Sequence, residues 1–249
     1  MIMIFSIGNA KMTKEEKKFK RAMKKFEIIF PVLKKCWPVF LVAVGLIELI
    51  VLYLFNDSLP LHHKYQIGMA FALLLHIFEE EFFPGGFGFS FNTVKNPKDY
   101  SDCYPMNPMI SMTVNFLGVL FLTISAFFPS LYFLGIGVAV FWGVEVVLHT
   151  VLAFLPRAKG LPLYSPGLLT AWLAGGFCAY RYLHTVISEN LLSGYDWALG
   201  IIYLFAGIIL VIRIPEDRLS DKNSPFRYEN DREFYGFFYR YIKQRYQLK

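Results

Sequence analysis

Charge is scarce in this chain. Only 18% of its 249 residues are Asp, Glu, Lys or Arg, whereas a soluble domain carries about a quarter. With 55% of residues apolar or aromatic and a mean hydropathy of +0.43, much of the chain must face something other than water, which excludes a single soluble core. Cysteine is also sparse. Cys36, Cys103 and Cys178 lie far apart and show no CxxC or Cys/His ligand spacing, which argues against a disulfide framework. The chain has no internal repeat, no low-complexity segment and none of the period-two alternation that strands would need. The apolar stretch Met1 to Ile7 is too short for the core of a signal peptide and is followed by Lys rather than preceded by it, so the N-terminus is expected to be uncleaved.

Long apolar runs are what the chain does contain. Runs able to cross roughly 30 Å of hydrocarbon as helices, at about 1.5 Å per residue, lie near Trp37–Phe55, Gln66–Phe83, Asn107–Phe128, Ser130–Phe154, Pro166–Val186 and Trp197–Ile212. Backbone inside a bilayer must satisfy its own hydrogen bonds, so each run is expected to be helical. The fold class is therefore all-α: a polytopic transmembrane helix bundle of about six spans. Six spans place residues 1–36, the loops after spans two and four, and residues 213–249 on one side. That side holds 23 of the 25 Lys and Arg residues, and by the positive-inside rule it is cytoplasmic, both termini included. The chain is thus expected to be an integral, multi-pass protein of a cell inner or plasma membrane.

The two ends look amphipathic. Phe19, Met23, Phe26, Phe30 and Leu33 recur at helical intervals among Lys17, Lys18, Lys20, Arg21, Lys24 and Lys25, and Thr13 with Glu16 has capping-box spacing. Phe234, Phe237, Phe238, Tyr241 and Ile242 form a similar stripe, with Asn230 and Glu233 spaced for a cap. Both ends are read as helices lying on an anionic inner leaflet, with membrane lipids rather than nucleic acid as partners. The organisation is then a basic N-terminal helix over residues 1–36, a transmembrane domain over 37–214 and a basic, aromatic-rich tail over 215–249.

Ionisable groups inside spans are costly and mark candidate sites. They are Glu48, His76, Glu79, Glu80, Glu81, Glu145, His149, Arg181 and His184, with neutral Asn115 in span three. His76, Glu79 and Glu80 stand at i, i+3 and i+4, and Glu145 and His149 at i and i+4, so two helices each present a His with carboxylate on one face. Counting from the outer ends puts the first cluster roughly 16–22 Å deep and the second roughly 22–28 Å deep, with Asn115 about 12 Å from the inner face. The clusters overlap in the cytoplasmic half. Arg181 and His184 fall near the outer boundary, and Glu48 falls at mid-bilayer, where it is able to join the site or pair with Arg181. Carboxylates gathered in a low dielectric call for a cation. Imidazole with carboxylate is the donor set of zinc and of non-haem iron or manganese. The candidate metal ligands are His76, Glu80, Glu145 and His149, with Glu79 as catalytic base and Asn115, Asn92, Tyr164 and Glu48 nearby or facing substrate.

The stretch His76-Ile77-Phe78-Glu79-Glu80-Glu81-Phe82-Phe83-Pro84-Gly85-Gly86-Phe87, followed by Asn92, resembles the signature of the HXXEE-domain membrane proteins. The likeness lies within about residues 66–188. It implies a multi-pass protein of unassigned activity with metal binding suspected from the motif, and it carries over His76, Glu79 and Glu80 alone. A looser similarity is to intramembrane CAAX-type proteases, which pair a double Glu with His on later helices around a catalytic water. The Arg found there after the double Glu is replaced here by the run Phe82-Phe83-Pro84, and span five lacks their His-with-Asn spacing.

A divalent ion, zinc first and iron or manganese as alternatives, would activate a water with Glu79 as its base. Pro84-Gly85-Gly86 would form a mobile lip facing Tyr164-Ser165-Pro166-Gly167. The expected function is metal-dependent hydrolysis of a lipidic or prenylated substrate entering between aromatic-rich helices. A dimetal iron oxidoreductase and a metal or proton-coupled transporter are the alternatives.

Overall fold

The computed structural model describes residues 14–95, 102–157 and 161–246, and every regular element among them is helical. The helices are α1 (Lys14–Phe55), α2 (Leu61–Glu81), α3 (Phe87–Lys95), α4 (Pro108–Ala126) and α5 (Tyr132–Arg157). A short α6 (Leu168–Thr170) runs through a π-helical stretch, Ala171–Gly176, into α7 (Phe177–Ser188). Likewise α8 (Gly194–Gly207) runs through a π-helical stretch, Ile208–Arg213, into α9 (Ile214–Leu219). The chain closes with α10 (Asp231–Tyr235) and α11 (Tyr239–Tyr246).

Local chemistry accounts for several starts. Asn107 caps α4 by accepting from the backbone N–H of Met109 and Ile110, with Pro108 in the first turn where a missing N–H costs nothing. Ser193 and Asp196 form a reciprocal capping box on α8. The Asn230 side chain accepts from Glu233 N at 3.0 Å and starts α10.

Four helical stretches are long and apolar enough to cross a membrane: Lys24–Phe55, Pro108–Ala126, Tyr132–Phe154 and Gly194–Leu219. Their outer faces expose large apolar side chains such as Val39, Ile124, Val147 and Ile202, as a lipid-facing surface does. The other two expected spans are also helices, but they carry more polar side chains. The polar load of α2 is sheltered because this helix stands in the middle of the bundle, against α1, α4, α7 and the first π-helical stretch. Its Met69, Ala72 and Ile77 share one core with Ile136 and Trp142 of α5 and Tyr182 and Val186 of α7. Antiparallel register between α2 and α4 is set by two hydrogen bonds. Ser111 Oγ donates to Glu81 Oε1 at 2.6 Å, and Gln66 Nε2 donates to the Ser125 carbonyl at 2.8 Å.

The ends differ from expectation. Helix α1 continues unbroken through Pro31 and Pro38, so no helix boundary falls at residue 36. Phe30 is buried, and its ring lies 4.8 Å from that of Phe226. In the C-terminal stripe Phe234, Phe238 and Ile242 are buried with Phe89 and Leu161 instead of facing outward. Lys34 of α1 joins this packing through Glu233 at 2.5 Å. The aromatic periodicity was a true sign of an apolar face, but these residues cover protein. Thr13 and the side chains of Glu16, Phe19 and Met23 lie outside the described residues.

Candidate metal centre

The last two turns of α2 and the second half of α5 bring four donors to one point. His76 Nε2 lies 3.5 Å from Glu80 Oε1 and 3.9 Å from Glu145 Oε2, and His149 Nε2 lies 3.3 Å and 3.4 Å from the same two oxygens. Donor atoms of His76, Glu80 and His149 all fall within 4.8 Å of one another, and all three residues are buried. Glu145 stands beside this triad, one turn of α5 before His149.

The outer nitrogen of each imidazole is held from behind. His76 Nδ1 meets Thr170 Oγ1 at 3.2 Å, and that hydroxyl donates to Glu79 Oε2 at 2.6 Å. Having donated its only proton, the Thr170 oxygen can only accept from Nδ1–H, which leaves Nε2 as the bare nitrogen facing the centre. His149 Nδ1 meets Ser165 Oγ at 3.1 Å in the same manner. His149 is fully buried, yet its Nε2 has no hydrogen-bond partner. A buried imidazole nitrogen 3.3–3.4 Å from two carboxylate oxygens, with hydrogen-bond geometry to neither, suits a shared cation, so the residues present fit a metal ion.

The loop before α6 forms the wall of this cage. Gly167 has a left-handed φ of +94°, and a Cβ there would stand 2.6 Å from Cε1 of both His76 and His149. The ring of Trp142 meets His76 edge-on at 5.5 Å, and Phe87 lies 5.5 Å from His149. Water access from these sides is closed by apolar rings.

Glu79 does not join the cage. Its carboxylate sits at the N-terminus of α6 and accepts from Tyr164 Oη (2.5 Å), Leu169 N (3.2 Å), Thr170 N (2.8 Å) and Thr170 Oγ1 (2.6 Å). Positions i+3 and i+4 from His76 diverge by about 100° around the helix, so Glu79 turns to α6 while Glu80 turns to α5. These four hydrogen bonds tie the carboxylate to Tyr164 and the start of α6, turned away from the cage. Burial, reinforced by the Glu79 carboxylate, pushes the Tyr164 phenol well above its ordinary range, so it stays a donor to Glu79.

Residues 67–180 match the family model of proteins of unknown function with the HXXEE motif. No curated protein and no solved structure matches the chain. The HXXEE domain thus contains every residue of the cage, from His76 and Glu80 through Glu145 and His149, together with the loop and the Thr170 hydroxyl that orient it.

A narrow cavity of about 140 Å³ opens from the cage of the HXXEE domain toward α4 and α8. His76, Glu80, Glu145 and Asn115 line it on one side, and Leu73, Phe121 and Leu204 are among its apolar walls. Asn115 thus shares a cavity with His76, Glu80 and Glu145. Asn92 lies further off and pins the loop before α4, exchanging hydrogen bonds with the Met106 backbone at 2.7 and 2.9 Å. Glu48 is elsewhere. It is buried beside Thr123, whose hydroxyl stands 3.3 Å from Oε1, in a second cavity with His63 that shares no lining residue with the first. Arg181 does not pair with it and lies 5.3 Å over the Tyr65 ring. The Gly85-Gly86 lip is pinned rather than loose: Phe237 N donates to Gly85 O at 3.1 Å, and the Gly236 backbone packs directly on the turn.

Thr170 was the residue that spacing could not find. Its role depends on α6 folding back across α2, and nothing in the neighbouring sequence marks it except the Ser-Pro-Gly turn shortly before.

Proposed function

We propose that this chain is a metal-dependent enzyme of a membrane that hydrolyses a lipidic or prenylated substrate at the His/Glu cage. The observation that carries the reading is Nε2 of fully buried His149, which makes no hydrogen bond although Glu80 and Glu145 oxygens stand 3.3 and 3.4 Å away, beside a largely apolar cavity lined by His76, Glu80 and Glu145. His76, Glu80 and His149 would hold the ion, zinc in the first instance, since neutral imidazole and carboxylate are its usual oxygen and nitrogen donors. When bound, such an ion supplies a Lewis acid and lowers the pKa of water at its open position to about 7.

The chain's own groups would do the rest. Glu145, beside the triad and on the cavity wall, is placed to take the proton as water adds to the substrate carbonyl and to return it to the leaving group. Water's oxygen ends on the acyl carbon, the bond to the leaving oxygen or nitrogen breaks, and the leaving group departs protonated. The Asn115 amide faces the same cavity and is suited to orient a carbonyl. Thr170 with Glu79, and Ser165, keep the two imidazoles in their metal-binding tautomer. Because Glu79 is committed to α6, four donors remain about a single point, which favours one ion over a dimetal iron centre.

The placement of basic residues supports six spans with both termini cytoplasmic, and hence a site in the cytoplasmic half of the bilayer facing an anionic leaflet. The test is turnover of long-chain esters and prenylated peptides by purified protein. Hydrolysis abolished by chelation and by His149→Ala supports the reading; hydrolysis unaffected by both, or a visible absorption band from bound iron with oxygen consumption, would reject it.

A further inference from the structure

The cavity at the cage has two unlike ends, and together they define a substrate class. At one end it meets a third cavity, distinct from the one beside Glu48 and of about 320 Å³, with Phe91, Met106 and Glu216 lining both. This outer chamber is polar, and its walls include Lys95, Tyr104, Arg213, Asp217 and Ser220. At the other end the inner cavity is lined by Phe121, Leu122 and Leu204.

Register places the cage between these ends. Glu81 is level with Ser111, and Gln66 with Ser125, so Glu80 and His76 lie beside residues 112–116 of α4. Met106, at the mouth, comes before that level, and Gly118, Phe121 and Leu122 come after it. About 10 Å of apolar channel therefore extends beyond the cage, at 1.5 Å per helical residue. A volume of about 140 Å³ is close to that of a cavity that admits one benzene ring, roughly 150 Å³, so it has room for about six carbons of one chain.

The charge at the mouth is also specific. Arg213 engages both carboxylates of the chamber, Glu216 at 3.0 Å and Asp217 at 3.6 Å. Lys95 ends α3 with its ammonium 5.5 Å over the Phe91 ring, and among the described residues no carboxylate lies within ion-pair distance of it. Among the described residues it is the chamber's one cation without a carboxylate partner, and it stands on the aromatic ring shared with the inner cavity.

We infer that the substrate is a single-chain amphiphile with an anionic head, bound with the head at Lys95 and the tail past the cage toward Phe121 and Leu204. The reacting bond then lies near the junction of head and chain. This deepens the proposed function and rests on it for the chemistry, but the binding pose is testable without turnover.

Purified protein in nanodiscs of zwitterionic lipid would be titrated with hexyl phosphate, hexanol and hexyltrimethylammonium, with metal content measured on the same samples. The phosphate is expected to bind at least about tenfold more tightly than the alcohol, as a charge-assisted contact does. Lys95→Gln should bring the two to near parity with metal content unchanged. Gly118→Leu should weaken phosphate and alcohol alike by about tenfold or more, because a Cβ at Gly118 meets Leu73 at an ordinary 3.6 Å and a longer side chain fills the channel. Val211→Phe, from the opposite wall, serves if that variant does not fold. Equal phosphate binding in Lys95→Gln, a preference for the ammonium probe, or unaltered binding in the channel variants would overturn the inference. Amphiphile binding with this pattern in a protein that holds no metal would leave the inference standing and reject the metal reading instead.

Discussion

Replacing Gly167 by alanine would place a methyl carbon 2.6 Å from Cε1 of both His76 and His149, at a residue whose φ is +94°. Two costs follow, and they appear in different measurements. The left-handed backbone costs about 1–2 kcal/mol for a residue with a Cβ, in metal-free and metal-bound protein alike, so it lowers thermal stability only. The clash behaves otherwise. Without metal the two rings can swing aside, whereas a ligated pair must hold its place at about 0.5–1.5 kcal/mol per displaced ring. Two rings give about 1–3 kcal/mol, or roughly a 5- to 150-fold loss of metal affinity. Competition against a chromogenic chelator, with cobalt or zinc and protein in detergent, reads that loss. Gly118→Ala is the control, because its Cβ contacts are ordinary and lie away from the rings. Gly167→Ala with unchanged affinity would refute the placement of the loop against the two imidazoles.

Other outcomes follow from the same geometry. Thr170→Val removes the hydroxyl between His76 and Glu79 and should weaken metal binding by about 10- to 100-fold, with Thr170→Ser restoring most of it. Glu79→Gln removes the charge that caps α6, so thermal unfolding should show a loss of about 1.5–3 kcal/mol, whereas a catalytic base would leave stability intact. Tyr164 has its folded-state pKa raised by burial and by Glu79, so its stabilising contribution is complete below the ordinary tyrosine value of about 10 and declines as pH rises above it. The wild type should therefore lose stability faster than Tyr164→Phe between about pH 10 and 12. Reporter fusions at either terminus should both be active on the cytoplasmic side; opposite sides would exclude an even number of spans.

The cage was readable in the sequence because helical geometry is simple. The i, i+4 spacing of His76 with Glu80 and of Glu145 with His149, and the equal depth of Asn115, need only a rise per residue and a direction of travel. Glu79 shows the limit of that argument. One position along the helix turned it to another neighbour, and only the fold of the 161–170 loop decides which neighbour it meets. The ends were ambiguous for a different reason. Phe30, Phe234 and Phe238 repeat at helical intervals whether their partner is lipid or protein. Likewise, hydropathy detects spans by what faces lipid. The central α2 is helical and sheltered, and it is not among the four helices apolar enough to cross a membrane.

Metal analysis of the purified protein beside a His76→Ala, Glu80→Ala variant bears on the central claim most directly. A divalent ion stoichiometric with the chain in the wild type, and absent from a variant that still elutes as a folded species, is the predicted result. The same metal content in both proteins, or none in either after purification without chelators and with zinc supplied, would contradict it.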